Sequence, residues 1–179
     1  MFSDQSNFGI NILKLDKKDN PERLYDQEDR ACFVSPDGFT ANDISQGSIG
    51  DCWFISALAS LVGPKIDEKP KIKDTTIQRL LQPEFNASEV AKVKGIYKFN
   101  FFKMGQFVDV IIDDFLPSED INKKAKRAAD SETNEWWIPL CEKAYAKFNG
   151  SYENIQGGLP TWALTELTGG IAIQSMVSR

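Results

Sequence analysis

The clearest hydrophobic pattern in the chain is an apolar run over residues 52–61 that contains no Pro or Gly. Its apolar side chains recur at helical spacing, at Phe54, Ala57, Leu58 and Leu61. Gly63 and Pro64 follow the run and are the usual signals that end a helix. The pattern therefore predicts a buried helix of about ten residues, with Cys52 in its first turn.

A second pattern, with a period of two, predicts a pair of strands over residues 96–103 and 107–114. In each strand alternate residues are large and apolar, namely Tyr97, Phe99 and Phe101 in the first and Val108, Val110 and Ile112 in the second. The short connection contains Gly105, as hairpins require. The alternation predicts an antiparallel pair with one buried face.

Two further helices are predicted at residues 75–81, which end before Pro83, and from Ile138 to Gly150. The expected fold class is therefore α+β, with helices around the helix of residues 52–61 and a small antiparallel sheet. The length of 179 residues is typical of one domain. Residues 1–30 are polar and charged, so we interpret them as an N-terminal extension with a short helix at 21–28, and residues 31–179 as the folded core.

Composition and charge exclude several classes of protein. The chain has 21 Lys and Arg residues, 26 Asp and Glu residues and no basic stripe, which argues against nucleic-acid binding. Its longest apolar run is too short for a transmembrane segment. The three cysteines are widely spaced, and the N-terminus carries no apolar signal segment. We therefore expect a protein of the reducing cytoplasm.

Cys52 is the candidate for chemistry, because a helix N-terminus stabilises an anion such as a thiolate. That effect contributes only about 0.3–1 kcal/mol, so a strong nucleophile also needs a histidine partner, and this sequence has none. Gln46 precedes Cys52 by six residues, and its amide together with the Cys52 N–H can form an oxyanion hole. The alternative is that Cys52 is a buried helical cysteine without a chemical role.

The sequence around Cys52 resembles the nucleophile segment of calpains, the calcium-dependent papain-like proteases. Residues 46–61 read QGSIGDCWFISALASL. The segments GIYKF at 95–99 and GQFVDVIIDDFLP at 105–117 are similar to the hairpin of that family. EKAYAKFNGSYE at 142–153, Gly157-Gly158 and TGG at 168–170 are similar to its later helix and loops. The resemblance covers residues 31–173 in order and implies the first lobe of a papain-like protease core.

The resemblance implies a cysteine endopeptidase acting on protein substrates. Cys52 would be the nucleophile, Gln46 an oxyanion-hole donor, and Gly157 and Gly158 a backbone edge that pairs with the bound peptide. In the family a second lobe supplies His and Asn, and it begins about where this chain ends at Arg179. The 179 residues alone are therefore expected to be inert.

The resemblance also implies a calcium ion, held by the backbone carbonyls of Pro36 and Gly38 and the carboxylates of Asp43 and Glu135. Mixed carbonyl and carboxylate oxygens are the ligands that calcium prefers. Ala41 stands where calpains usually carry an Arg that helps link this loop to the partner lobe. Calcium activation through that link is therefore left open.

The alternative function is a catalytically inactive calpain-like module that binds calcium or regulates partners as a scaffold. A continuation of the reading frame into a segment with His and Asn would favour the protease. A zinc enzyme is not expected, because the chain has no His and no clustered Cys.

Overall fold

The computed structural model describes residues 22–23, 32–36, 38–41, 44, 49–63, 75–116 and 135–173. Two of the predicted site residues, Asp43 and Gln46, lie outside these ranges. The elements in chain order are β1 (Glu22–Arg23), α1 (Cys52–Val62), α2 (Thr75–Leu81), α3 (Pro83–Asn86), α4 (Glu89–Lys94), β2 (Ile96–Lys103), β3 (Gln106–Asp113), β4 (Phe115–Leu116), α5 (Trp137–Asn149) and α6 (Pro160–Thr168). Within the described ranges, no helix is long and apolar enough to cross a membrane.

Helix α1 is the predicted buried helix. Phe54 and Leu58 are fully buried and lie one turn apart on the side that faces the core. The helix ends at Gly63, which has a φ of 70° and donates its N–H to the Ala59 carbonyl at 3.0 Å. A positive φ is easily reached by glycine, so the stop signal read from the sequence is confirmed.

The predicted strand pair is the antiparallel hairpin of β2 and β3. Its register pairs Lys103 with Gln106, so β3 begins one residue earlier than predicted and the turn has two residues. Those residues, Met104 and Gly105, have φ values of 50° and 84°. Positive φ at both positions is the geometry that matches the twist of a tight hairpin. The alternation places Tyr97, Phe99 and Phe101 in the core.

The core lies between α1, α5 and the hairpin. Tyr145 in the middle of α5 stacks on Phe54 of α1 with ring centroids 4.1 Å apart, and Phe101 of β2 lies 5.7 Å away. Helix α5 is buried along most of its length and ends at Gly150, as predicted. The aromatic contacts fix α1 against α5, which leaves the first residue of α1 in a defined position.

A second, very short sheet joins the N-terminal part of the chain to the core. Strand β1 pairs antiparallel with β4, so the helix predicted for residues 21–28 is wrong at Glu22 and Arg23, where long-range pairing replaces the local preference of a Pro-led segment. Lys143 of α5 anchors this edge, because its Nζ pairs with the Asp113 carboxylate and donates to the Phe115 carbonyl at 2.9 Å. The predicted α+β class with a small antiparallel sheet is confirmed.

Candidate active site

Cys52 is the first residue of α1 and its side chain is exposed. The preceding residue, Asp51, is the N-cap, and its carbonyl accepts from the N–H groups of Phe54 at 2.9 Å and Ile55 at 3.1 Å. The first N–H groups of a helix have no partner within the helix. The Cys52 sulfur and the Cys52 N–H therefore lie together at the positive end of a buried helix.

The other two cysteines occupy different surroundings. Cys141 of α5 is fully buried, and its burial, with the nearby charge of Glu142, raises the pKa of the Cys141 thiol far above its usual value. Cys32 is half-buried, and burial followed by the charge of Glu135 raises the pKa of the Cys32 thiol. None of the three cysteines forms a disulfide bond. The interpretation of Cys52 as a buried structural cysteine is wrong, because its side chain is exposed.

The residues after Cys52 hold the start of α1 in place. Trp53 is buried and donates its indole N–H to the Ile155 carbonyl at 2.8 Å. Its ring also meets Tyr145 edge-on, with centroids 5.8 Å apart. The Tyr145 hydroxyl donates to the carboxylate of Glu166 on α6. The nucleophile candidate thus rests on a polar and aromatic network that ties α1 to α5, α6 and the loop at 155.

Gly157 and Gly158 lie beside this turn. The Gly157 N–H donates to the Gly50 carbonyl at 2.8 Å, two residues before Cys52. A Cβ added to Gly158 would lie 2.4 Å from the Trp53 ring, so only glycine fits against the indole. At Gly157 a Cβ would meet open space, but its φ of +77° still favours glycine. The structure therefore places the predicted peptide-binding edge next to Cys52.

Glu135 is buried against the loop that carries the other predicted calcium ligands. Its Oε1 accepts from the Ser35 N–H at 2.5 Å, and its Oε2 accepts from the Trp137 indole N–H at 3.3 Å. The Gly38 N–H closes the same turn by donating to the Ser35 carbonyl at 3.0 Å. Pro36 lies inside this turn, so Pro36, Gly38 and Glu135 share one neighbourhood.

The chemistry of this neighbourhood fits a hard cation. Calcium prefers carboxylate and backbone carbonyl oxygens, and the Glu135 carboxylate contacts the turn that contains Pro36 and Gly38 through the Ser35 N–H. Within the described ranges no group of three or more His, Cys, Asp or Glu residues surrounds a common point. The predicted set needs only two carboxylates, and the second, Asp43, lies outside those ranges, so this ligand set stays a prediction. The same holds for Gln46 and the oxyanion hole.

Sequence reasoning missed the residues that support the site, above all Trp53, Tyr145 and Glu166. Trp53 directly follows the cysteine, and a buried Trp requires a partner for its N–H; that requirement was the available signal. The identity of the partner, Ile155, could not be predicted from the sequence, because 102 positions separate donor and acceptor. These residues belong to the site because they orient the turn that carries Cys52.

Comparison with known proteins gives consistent matches. Residues 14–178 match the family described as calpain family cysteine protease. Mouse (Mus musculus) Calpain-5 is 36% identical over 145 residues, which cover 81% of this chain and 21% of that protein. The Calpain-type cysteine protease DEK1 of Arabidopsis thaliana is 41% identical over 80% of this chain and 6% of its own length. The mouse Calpain-1 catalytic subunit is 39% identical over 75% and 17%. The chain thus spans about a fifth or less of the length of these relatives.

Proposed function

Because this chain belongs to the calpain family of cysteine proteases, we propose that it is the Cys-bearing first lobe of a calcium-dependent endopeptidase that cleaves protein substrates. The observation that carries the proposal is the exposed Cys52 thiol in the first turn of a buried helix. A thiolate nucleophile needs a position that stabilises its charge and that substrate can reach, and Cys52 has both at the exposed start of α1. The adjacent glycine edge offers the substrate backbone a place to bind.

In the proposed reaction the Cys52 thiolate attacks the scissile carbonyl carbon and forms a carbon–sulfur bond. The Cys52 N–H and the Gln46 amide stabilise the resulting oxyanion, a contribution that typically amounts to about 10²–10³ in rate per donor. Collapse expels the amine, which takes the proton first removed from the thiol. Water then attacks the thioester: its hydroxyl goes to the acyl carbon to form the acid product, the carbon–sulfur bond breaks, and the proton taken from the water restores the Cys52 thiol.

The proton carrier of this cycle has to come from outside the 179 residues, because they contain no histidine. We assign it to a second lobe that carries His and Asn, with His as the base and Asn as the group that orients it. These 179 residues alone are therefore expected to bind peptide and to react as a thiol without catalytic turnover.

Gly157 and Gly158 form the proposed edge for the substrate backbone. Their proximity to Gly50 and Trp53 supports this role, since a peptide lying along them passes the Cys52 end of α1. Glycine permits close approach between two backbones. A side chain at either position would hinder an extended peptide or displace the Trp53 ring.

Calcium is the proposed cofactor, held by Pro36, Gly38, Asp43 and Glu135. Bound there, the cation would supply charge that orders the loop of residues 35–43 beside the start of α5. The support is the buried Glu135 carboxylate, which already contacts the turn containing Pro36 and Gly38. A cytoplasmic location fits three cysteines that form no disulfide bond, since a reducing compartment keeps thiols reduced.

The direct test combines the chain with a polypeptide that carries the His- and Asn-bearing lobe, adds calcium, and measures casein hydrolysis. We expect activity with the unaltered chain and none with Cys52→Ala, while Cys141→Ala retains it. Equal activity of the unaltered chain and Cys52→Ala would remove the catalytic assignment. Calcium binding without hydrolysis, in a mixture that forms a complex, would instead support the inactive regulatory module.

A further inference from the structure

A group of contacts from α2 and the hairpin holds the C-terminal end of α6. Arg79, in the last turn of α2, places its guanidinium over the ring of Phe107 in β3, with the central carbon 3.8 Å from the ring centroid. The same guanidinium donates to the carbonyl of Thr168, the last residue of α6, at 3.2 Å. The Phe107 ring meets Phe102 of β2 edge-on, with centroids 5.1 Å apart. Three elements therefore meet the end of α6.

Gly169 completes this group, which we call the α6 clasp (Arg79, Phe102, Phe107, Thr168 and Gly169). A Cβ on Gly169 would lie 2.9 Å from Cζ of Phe107 and 3.2 Å from Cδ2 of Phe102. The φ of +76° at Gly169 favours glycine as well. Arg79 suits its place because the last carbonyls of a helix have no partner within it and attract positive charge. The α6 clasp thus combines charge, ring contact and close backbone approach.

The α6 clasp lies where the chain leaves the packed body. Thr168 and Gly169 are still partly covered, whereas residues 170–173 are all exposed. Ile171 and Ile173 are 91% and 88% exposed. The Thr168 hydroxyl accepts from the Gly170 N–H at 2.9 Å, which fixes the first step of the path. The α6 clasp therefore sets the direction in which the chain continues.

Helix α6 connects the α6 clasp to the candidate active site. Its N-terminal end follows Gly158, which lies against the ring of Trp53. Between its ends the helix is held on the core by Ala163 and Leu167, both fully buried. The helix has nine residues, so its ends lie only about 13 Å apart at 1.5 Å per residue. A helix held at both ends and along its length fixes the exit of the chain relative to Cys52.

We propose that Arg79 and Phe107 are positioning residues for the protease reaction, because through the α6 clasp they direct the chain into the second lobe so that its His reaches the Cys52 sulfur. The inference rests on the proposed function, in which the lobe with His and Asn follows these residues. Both residues act indirectly, through the path of the chain. A displacement of 1 Å at a reacting centre can cost about 10²-fold in rate, so loosening the exit should lower kcat measurably.

The experiment uses the single polypeptide in which the lobe with His and Asn follows residue 179, with calcium present. Casein hydrolysis gives kcat and KM, and mass spectrometry gives the rate at which iodoacetamide alkylates Cys52 at pH 6 and pH 8. A histidine beside a cysteine keeps the reactive thiolate present at low pH, so the rate at pH 6 measures the approach of the two lobes. We expect Arg79→Ala to lower kcat and the pH 6 rate, each roughly tenfold, and to leave KM and the pH 8 rate nearly unchanged.

Substitutions that keep part of each contact separate the α6 clasp from packing in general. Phe107→Leu stays apolar but removes the ring face that attracts the guanidinium, so it should match Arg79→Ala. Phe107→Tyr keeps the ring and should behave as the unaltered polypeptide does. Arg79→Lys keeps the charge but lacks the planar group that stacks and donates at once, so its kcat should lie between those of the unaltered polypeptide and Arg79→Ala.

The matched control is Lys103→Ala, which removes a similar pair of contacts near the end of a different helix. The Lys103 Nζ lies 4.8 Å from the centroid of the Phe148 ring and donates to the Phe148 carbonyl of α5 at 3.5 Å. This variant should leave kcat and the pH 6 rate unchanged. In the 179-residue chain alone, which has no His, none of the variants should change the alkylation rate of Cys52.

An unchanged kcat and pH 6 rate in Arg79→Ala would overturn the positioning role. An equal loss in Lys103→Ala, or a changed alkylation rate in the 179-residue chain alone, would overturn it too, since either result would show a general loss of structure. If the unaltered polypeptide hydrolyses casein no faster than its Cys52→Ala variant, the proposed function itself fails, and that result is distinct from the other three.

Discussion

Helices α1 and α5 each begin at or near a predicted site residue, Cys52 in α1 and Glu135 just before α5. The surroundings of these two residues differ. In α1 the indole N–H of Trp53 donates to the Ile155 carbonyl, and the thiol of Cys52 stays exposed. In α5 the indole N–H of Trp137 donates to the carboxylate of Glu135, which is buried. A tryptophan indole N–H thus holds a neighbouring loop at the start of α1, whereas at the start of α5 it holds the candidate calcium ligand itself.

The difference follows from what each group has to do. A nucleophile has to be reached by substrate, so its surroundings are held by neighbours and its sulfur is left open. A buried carboxylate needs hydrogen-bond donors whether or not a cation is present, because an unpaired buried charge is costly. Glu135 therefore has a structural role that Cys52 lacks, and variants at the two positions should separate chemistry from stability.

The largest expected effect is the difference in alkylation rate between the thiol of Cys52 in α1 and that of Cys141 in α5. Iodoacetamide should alkylate Cys52 in the folded protein, whereas Cys141 in α5 is fully buried and reacts only after unfolding. With a folding equilibrium constant of at least ~10³, Cys141 should react about a thousandfold or more slowly than Cys52. Mass spectrometry of alkylated peptides over time measures both rates. Comparable rates at the two cysteines would contradict the described burial.

The next largest effect is a loss of stability in the variant Glu135→Gln, just before the start of α5. The amide offers one oxygen to two facing donors, the Ser35 N–H and the Trp137 indole, so one donor loses its partner. We expect the free energy of unfolding to fall by about 2 kcal/mol. Urea denaturation measures it, and Glu153→Gln, at an exposed position, should change it by less than ~0.5 kcal/mol.

The same pair of variants tests the proposed calcium site. A ligand that binds only the folded state stabilises it by about 2.7 kcal/mol at a hundredfold excess over Kd. Calcium should therefore raise the urea midpoint of the unaltered chain and of Glu153→Gln, and raise that of Glu135→Gln much less. Equal calcium shifts in all three proteins would exclude Glu135 as a ligand.

The fold was predictable from the sequence where local signals agree. Helix α1 and the hairpin were predicted because the spacing of their apolar residues and the turn or stop residues that bound them indicate the same elements. Helix α2 was predicted with its observed bounds, Thr75–Leu81. Helices α3 and α4 were missed because they have four and six residues, too few for a periodic pattern. The pairing of β1 with β4 was missed because it joins segments about ninety positions apart.

The candidate site, like the fold, was predictable from the sequence only where the information is local. The position of Cys52 at a helix start followed from residues near it in the chain, whereas the exposure of its side chain came from the structure, since the sequence left a buried cysteine open. The contact of Gly158 with the Trp53 ring did not follow from nearby residues either, because its closeness depends on how α6 and the loop at 155 pack on α1. A sequence pattern identifies a residue with suitable chemistry, while its neighbours depend on tertiary packing.

A smaller effect is expected from Gly158→Ala, which tests how tightly that packing holds the α1 start. The new Cβ would lie 2.4 Å from the Trp53 ring, so the ring or the loop has to move. We expect a loss of about 1.5 kcal/mol in unfolding free energy and a shift in tryptophan fluorescence. Gly157→Ala, where the Cβ meets open space, costs only the strain of a positive φ, about 1 kcal/mol. An unshifted fluorescence spectrum in Gly158→Ala would contradict the described contact.

The smallest effect concerns Tyr145, which connects both helices of the comparison because it lies in α5 and packs on Phe54 of α1. Burial, followed by the hydrogen bond to Glu166, raises the pKa of Tyr145 in the folded protein. The folded state therefore holds the phenol proton more tightly than the unfolded chain does. This contribution to stability is complete below the unfolded pKa of about 10 and is lost as the pH rises above it.

Tyr145→Phe removes that contribution and isolates it from other groups. At pH 8 the unaltered chain should be more stable than the variant by about 1.5 kcal/mol, the value of a hydrogen bond to a charged acceptor. Between pH 10 and 11 this difference should shrink by about 1 kcal/mol, since the unfolded chain then loses the phenol proton. Urea denaturation at pH 8, 10 and 11 measures the difference directly, and the alkaline effect of buried Cys141, present in both proteins, cancels. A difference that stays constant up to pH 11 would mean that Tyr145 ionises as easily in the folded protein as in the unfolded chain.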